Sequence, residues 1–368
     1  MASNDVGFRD HVVLGTFSRD EDMNYCNDLR NRRFFVKPDD RPNFDLLHGI
    51  DDYVDRGDHD DRDHSGVQPT SLTPVLEWIR DHQRELKEKG IMKPAGKGPE
   101  MKMDVDFVAR RGLLMNLLRA AKDVQGVGLL VTRYNGTYYL EGMGRRRQAE
   151  VPTCPREIGY INKRCLSRFD IVKSDKVKVD GGPPDIDQPI NARSSYYSIT
   201  KATCGDYTFL LSGETVAERK DAVELPPMNY VDVKTNQALS EDRYKTLRWW
   251  AMNHISGVSD IVVGWRDDRR NVITSTEMMR TEDLPNKAAG FWDPESCVFS
   301  FLSFVEDIRR KIPDDDPSAV YCMGLNRLEI SRDIRRQLQA RRLSFSRKED
   351  DYVILKDWYL RDVLKVPE

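Results

Sequence analysis

The apolar residues of this chain come in short runs, none longer than about seven, each broken by charges or turn residues. That limits what it can fold into more than any other feature. A helix crossing a bilayer needs roughly 20 apolar residues, so no membrane span and no membrane association is expected. Short apolar runs must bury themselves by packing helices and strands together. The signals for both are interleaved along the whole length. Val127 to Arg133, then Asn135-Gly136, then Thr137 to Leu140 reads as a β-hairpin, because Asn-Gly accepts the positive φ of a tight turn.

Four segments read as helices. In Ser71 to Lys89, Thr73 suits the N-cap, Pro74 the first helical position and Gly90 the stop, with Leu76, Trp78 and Ile79 on the buried face. Phe107 to Ala121 carries Leu113, Leu114, Leu117 and Leu118 at helical period. Ser240 to Asn253 and Cys297 to Lys311 are the other two. Tyr207 to Leu211, Tyr230 to Thr235 and Tyr352 to Leu355 read as strands. Ile261 to Trp265 and Asn271 to Ser275 read as a hairpin across Asp267 to Arg270. Such mixing predicts a single α+β domain over residues 1–368, with mixed, largely antiparallel sheets flanked by helices. Residues 1–20 read as a flexible polar lead-in without the apolar stretch of a secretory signal. Val172 to Asn191, with Gly181-Gly182-Pro183-Pro184, reads as a mobile loop.

Composition narrows the function classes. With 58 basic and 61 acidic residues the net charge is -3, so a nucleic-acid site must be a local basic patch. No two of the six cysteines (Cys26, Cys154, Cys165, Cys204, Cys297, Cys322) are spaced as a CxxC pair. They read as free thiols in a reducing compartment, nucleus or cytoplasm, in a chain that is not secreted. Asp51 to His64 holds seven Asp and reads as a solvated loop rather than a metal cage. Arg145-Arg146-Arg147 and the cations of Arg332 to Lys348, where Ile334 to Leu343 suits a short helix, read first as solvated surface. They also suit RNA steering or a nuclear address.

There is no GxxxxGK[ST] loop, no GxSxG elbow and no HExxH. The informative stretch is 210–253. Residues two apart on a strand share a face, so adjacent strands can bring Glu214, Asp232 and Lys234 to one point. Carboxylates beside a lysine suit metal-assisted phosphodiester cleavage, in which the cation stabilises phosphoryl charge. Acid-x-Lys on a strand also describes a solvated face, so spacing alone does not decide.

Several blocks together resemble the DXO family of RNA decapping nucleases. They are Asn43-Phe-Asp-Leu-Leu-His-Gly49, Phe107-Val-Ala-Arg-Arg-Gly112, Val131-Thr-Arg-Tyr-Asn-Gly-Thr-Tyr-Tyr-Leu140, Leu210-Leu-Ser-Gly-Glu-Thr-Val216, Tyr230-Val-Asp-Val-Lys-Thr235, Leu247-Arg-Trp-Trp-Ala251 and Asp357-Trp-Tyr359. They keep the family's order over residues 33–360. The resemblance implies a DXO-like fold and chemistry on RNA 5′ ends: removal of aberrant caps, including NAD caps, and 5′-to-3′ digestion. It also implies, for an active member, Mg²⁺ or Mn²⁺ on four acidic positions in motifs Gly-h-x-h-Glu, Glu-h-Asp and Glu-h-Lys, where h is apolar. An arginine and a glutamine complete the set.

Carried over position by position, the set is depleted. The arginine is Arg111. The first motif is Gly159-Tyr-Ile-Asn-Lys163, with lysine in place of glutamate. The second keeps Glu214 but has Val216 for aspartate. The third is Asp232-Val-Lys234, and the glutamine position is Met252. Arg33 and Tyr197 fall where the family contacts substrate, so Arg33, Arg111, Tyr197 and Lys234 are the expected RNA contacts. Tyr138, Tyr139 and Tyr196 are further stacking candidates against a plain packing role. A lysine about 4 Å from a divalent ion opposes it by about 8 kcal/mol at an effective dielectric near 20. Lys163 is therefore expected to replace the ion beside Glu214 and Asp232. Three readings result: an RNA 5′-end binder or scaffold with catalysis impaired or lost and no cofactor; an active hydrolase holding metal on Glu214 and Asp232; and a protein-binding module that does not touch RNA.

Overall fold

The computed structural model describes residues 7–35, 44–46, 71–122, 127–143, 174–176, 193–220, 222–237, 243–267, 272–325, 343–347 and 352–366. Lys163 and its motif, Asp51 to His64, Arg145-Arg146-Arg147 and the helix expected from Ile334 lie outside the described residues, as do Cys154 and Cys165. No described helix is long and apolar enough to cross a membrane.

From the N-terminus come Phe8–Arg19 (β1), Tyr25–Cys26 (β2), Arg33–Phe35 (β3), Phe44–Asp45 (β4) and the helices Thr73–Asp81 (α1) and Gln83–Glu88 (α2). Met92–Pro94 (β5) and Met101–Met103 (β6) pair with each other and lead to Phe107–Arg110 (β7), Arg111–Arg119 (α3), Val127–Tyr134 (β8) and Thr137–Gly142 (β9). The middle of the chain supplies Ser174–Lys176 (β10), Ser195–Cys204 (β11), Tyr207–Glu214 (β12), Ala217–Glu218 (β13), Tyr230–Gln237 (β14) and Arg243–Ser256 (α4). Asp260–Asp267 (β15), Val272–Arg280 (β16), Leu284–Lys287 (α5), Pro294–Lys311 (α6), Asp316–Leu325 (β17) and Leu343–Arg347 (β18) follow.

Two mixed sheets result. The larger runs β18-β17-β8-β9-β7-β12-β11-β1-β2, the smaller β10-β3-β13-β14-β15-β16-β4. Most neighbours are antiparallel, but β7 runs parallel to β9 and β12, β13 to β3, and β14 to β15. The fold is the expected α+β arrangement.

Alternation along the strands builds a core on each face of the larger sheet. Phe107, Ala109, Phe209 and Leu211 pack on one side with α3, α4 and α6. Val108, Leu210 and Tyr139 pack on the other with α1 and the C-terminal turn. Burial on both faces is why these strands read as continuous apolar runs. Ile261 and Val263 of β15 join the first core together with Leu247, Trp250 and Ala251, so α4 fills the space between the two sheets. That helix is buried nearly all round, including its polar Asn253 and Ser256.

Several local expectations change. Residues 8–19 are not a flexible lead-in. They pair along β11, anchored by buried Phe8 and Phe17 and by the Phe8 amide, which donates to His254 Nε2 (3.0 Å). The helix expected from Ser71 breaks at His82, whose ring stacks on Trp78 (4.4 Å) while its Nδ1 lies 2.9 Å from the Trp78 carbonyl oxygen. Leu72, not Thr73, holds the N-cap position, and Gly90 at φ +68° ends the second helix as expected. The segment from Phe107 begins as strand. Pairing of Phe107-Val108-Ala109 between β9 and β12 overrides helical propensity, and α3 starts only at Arg111. Tyr352 to Leu355 is no strand; it leads into a π-helical turn, Tyr359–Val363, that buries Tyr359 completely. The Asn135-Gly136 hairpin forms as read, with φ +48° and +82°.

Candidate functional site

The chain crosses between the two sheets at Thr215-Val216. β12 ends at Glu214 in the larger sheet, and β13 begins at Ala217 in the smaller one beside β14. That crossing leaves a small pocket lined by Glu214, Val216, Asp232, Arg111, Asn253 and Ser256 among others.

Asp232 sits on β14, 5% exposed, between two donors. Lys234, two residues along the same face, donates from Nζ to Oδ1 at 2.7 Å, and Asn253 of α4 donates from Nδ2 to Oδ2 at 3.0 Å. A buried carboxylate requires such partners, because an unpaired charge away from water is costly. Asn253 is 1% exposed, and its Oδ1 has no hydrogen-bond partner among the described residues. The Lys234 ammonium also lies 3.9 Å from the thioether sulfur of Met252.

Arg111 reaches the cavity from the opposite side. It opens α3 where β7 ends, and its guanidinium is enclosed although the residue as a whole is half-buried. Nη2 donates to the Glu214 carbonyl oxygen (2.8 Å) and Nη1 to Ser256 Oγ (3.2 Å). Burial pulls its pKa below the ordinary arginine value, while nearby Asp232 and Glu214 pull the other way. The passage for this side chain exists because residue 213 is glycine: a Cβ there would stand 2.9 Å from Arg111 Nε.

The remaining expected contacts lie apart. Arg33 is on β3, next to β13, and is not among the residues lining the cavity. Tyr197 pairs with Glu214 across β11 and β12, but its ring stacks on Phe17 (5.0 Å) and is 5% exposed. Tyr138, Tyr139 and Tyr196 are likewise buried. All four residues are largely enclosed, as the packing role requires. Asn253, Ser256 and Gly213 were not legible as site residues. The available signal was a pair of polar residues three apart on a helix with an otherwise apolar surround, which must find partners when buried. Among the described residues no three His, Cys, Asp or Glu side chains cluster as a metal site.

Glu214 at the end of β12 in the larger sheet and Asp232-Val-Lys234 on β14 of the smaller sheet thus meet at one cavity, not on adjacent strands of one sheet as the spacing suggested. The family model described as RAI1 like PD-(D/E)XK nuclease matches residues 12–360, and the chain belongs to that family of RNA-processing decapping nucleases. It is 25% identical over 370 residues to the decapping and exoribonuclease protein of Xenopus laevis (95% of this chain, 85% of that protein) and 29% identical over 333 residues to that of Mus musculus (85% and 78%). The fold matches Scheffersomyces stipitis Rai1, solved with (3′-NADP)⁺ and calcium, at TM-score 0.71 and 18% identity (98% of this chain, 94% of that one). It also matches Candida albicans Rai1, solved with pU5 and Mn²⁺, at TM-score 0.71 and 16% identity (94% and 90%).

Proposed function

We propose that this chain binds RNA 5′ ends with its catalysis impaired or lost. The observation carrying this reading is the lining of the cavity at the sheet crossing. Where the family's Glu-h-Asp motif supplies a second carboxylate, this chain has Val216, which lines the same pocket as Glu214 and Asp232. Mg²⁺ asks for near-octahedral oxygen coordination. The pocket's described lining offers two carboxylates, the Asn253 amide oxygen and otherwise only neutral oxygens, and both oxygens of Asp232 already accept bonds from Lys234 and Asn253. This donor set does not fit a tightly held magnesium ion, and Lys163, if it occupies the first-motif seat, lowers the fit further. Phosphate recognition needs cations but no metal, and Arg111 and Lys234 remain at the site. Bound pU5 in the Candida albicans relative supports an RNA ligand of the same class. Nuclear or cytoplasmic residence belongs to the same proposal.

One observation favours the alternative of a working metal-dependent hydrolase: Asn253 Oδ1 is a buried acceptor with no described partner at the cavity, a third oxygen beside Glu214 and Asp232. The test is direct. Purified protein is incubated with 5′-monophosphate RNA and NAD-capped RNA in Mg²⁺ and in Mn²⁺. Binding without product, weakened by Arg111→Ala, is the expected result. Robust cleavage that disappears in Asp232→Ala establishes the alternative. No retention of RNA at all leaves the protein-binding reading.

A further inference from the structure

Two charged groups at the pocket, Asp232 and Arg111, are held from α4 by polar residues one turn apart, Asn253 and Ser256. Asn253 holds Asp232, and Ser256 holds Arg111. A guanidinium carries five N–H donors in one plane. Among the described residues Arg111 makes two hydrogen bonds, from Nη2 to the Glu214 carbonyl oxygen (2.8 Å) and from Nη1 to Ser256 Oγ (3.2 Å). Asp232 and Glu214 attract it through space, and both oxygens of Asp232 are already taken by Lys234 and Asn253. Ser256 is thus the one described side chain that accepts a hydrogen bond from this guanidinium.

The hydroxyl is set for that task. Ser256 is the last residue of α4, is buried, and donates its proton to the Met252 carbonyl oxygen one turn back (3.3 Å). With its single proton used there, Oγ faces Arg111 as an acceptor. The Glu214 carbonyl belongs to the larger sheet and Ser256 to the helix between the sheets, so the two terminal nitrogens are gripped from different elements. Two fixed points define the plane of the guanidinium, and each terminal nitrogen keeps a second N–H. An anchor on the carbonyl alone would let that plane turn about the remaining bond.

We infer that Ser256 is a positioning residue of the site: its hydroxyl fixes the Arg111 guanidinium in the orientation that meets an RNA phosphate. For its ligand this role rests on the RNA-binding reading above. Ser256 carries no charge and touches no RNA in this role; its effect passes through Arg111. Contacts between a guanidinium fork and phosphate oxygens depend on geometry as well as charge, which is how an uncharged residue sets their strength.

Four forms of the full chain separate positioning from plain support of the fold: the unaltered protein, Ser256→Ala, Arg111→Ala and the double variant. Affinity for a fluorescently labelled 5′-monophosphate RNA is read by anisotropy, with the folded fraction checked by circular dichroism. Ser256→Ala removes no charge, yet it is expected to weaken binding about tenfold, the scale of one hydrogen bond to a charged group. The same change made in Arg111→Ala should weaken binding by less than about twofold, because a guanidinium that is absent cannot be misplaced. Equal losses in the two backgrounds, or no loss in either, overturn the positioning role and leave the RNA-binding reading standing. If the unaltered protein retains no RNA, that reading fails, and urea unfolding of the same four forms decides the contact. A coupling of about threefold or more between the two substitutions in the unfolding constant supports Ser256 as the anchor of Arg111, and additive effects overturn it.

Discussion

His254 gives the fold a measurable pH dependence. It closes α4, its ring stacks on Trp250 (4.8 Å), and its Nε2 accepts from the Phe8 amide (3.0 Å), tying β1 to the helix that carries Asn253 and Ser256. An accepting Nε2 requires a neutral ring with its proton on Nδ1. Burial, and to a lesser degree neighbouring His11, lower the His254 pKa from 6.5 to about 4. A base whose folded pKa is depressed binds its proton more readily in the unfolded chain. Stability is therefore full above about pH 6.5 and is lost as pH falls toward 4. A shift of this size corresponds to about 3 kcal/mol in all, of which about 2 kcal/mol disappears between pH 7 and pH 5. That is a large part of the stability of a typical domain. Urea unfolding followed at pH 7, 6 and 5 reads it directly. His254→Gln keeps an acceptor for the Phe8 amide but does not titrate, so its stability should fall less over this range. A smaller fall remains from His11, whose pKa is also lowered by burial. Identical slopes for the two proteins refute the reasoning.

Three further outcomes are expected. Gly213→Ala places a methyl 2.9 Å from Arg111 Nε and displaces the guanidinium from Glu214 and Ser256; the cost is about 1–3 kcal/mol in urea unfolding, with weaker RNA retention by filter binding. Val216→Asp returns a carboxylate to the cavity and crowds Glu214 and Asp232 with like charge; melting should fall in chelator and rise with Mn²⁺ by more than in the unaltered chain, and an unchanged response to Mn²⁺ counts against the depleted-site reading. Asp293→Ala removes the N-cap bond from the Ser296 amide (2.8 Å) that opens α6; stability should drop by about 1 kcal/mol, read as a lower urea midpoint.

What could be read from the residues follows from how locally each feature is determined. Asn135-Gly136 specifies its hairpin because the positive φ is a property of those two residues alone. Glu214, Asp232 and Lys234 were legible because strand period and family order both name them. The boundary between Arg110 and Arg111 was not. Phe107-Val108-Ala109 has nothing that forbids helix, and it becomes strand because β9 and β12 stand on either side of it. The break at His82 and the burial of Tyr197 also depend on partners distant in sequence, the second on Phe17. Asn253 and Ser256 stayed hidden for another reason. A helix buried on nearly every side has no polar face to set its register, so its inward polar residues look like outward ones.

The same topology explains why the site is built at the sheet crossing. Parallel pairing of β7 with β12 ends both strands at one edge, and a chain that must leave one sheet for another does so where its own strand stops. Glu214 and Arg111 are delivered there from the larger sheet, Asp232 and Lys234 from the smaller, and α4 is wedged between with Asn253 and Ser256. Asp232 accepts from Lys234 on its own strand and from Asn253 of α4, while Arg111 donates to the Glu214 carbonyl oxygen of β12 and to Ser256 of α4. These bonds join α3, α4 and strands of both sheets at the crossing.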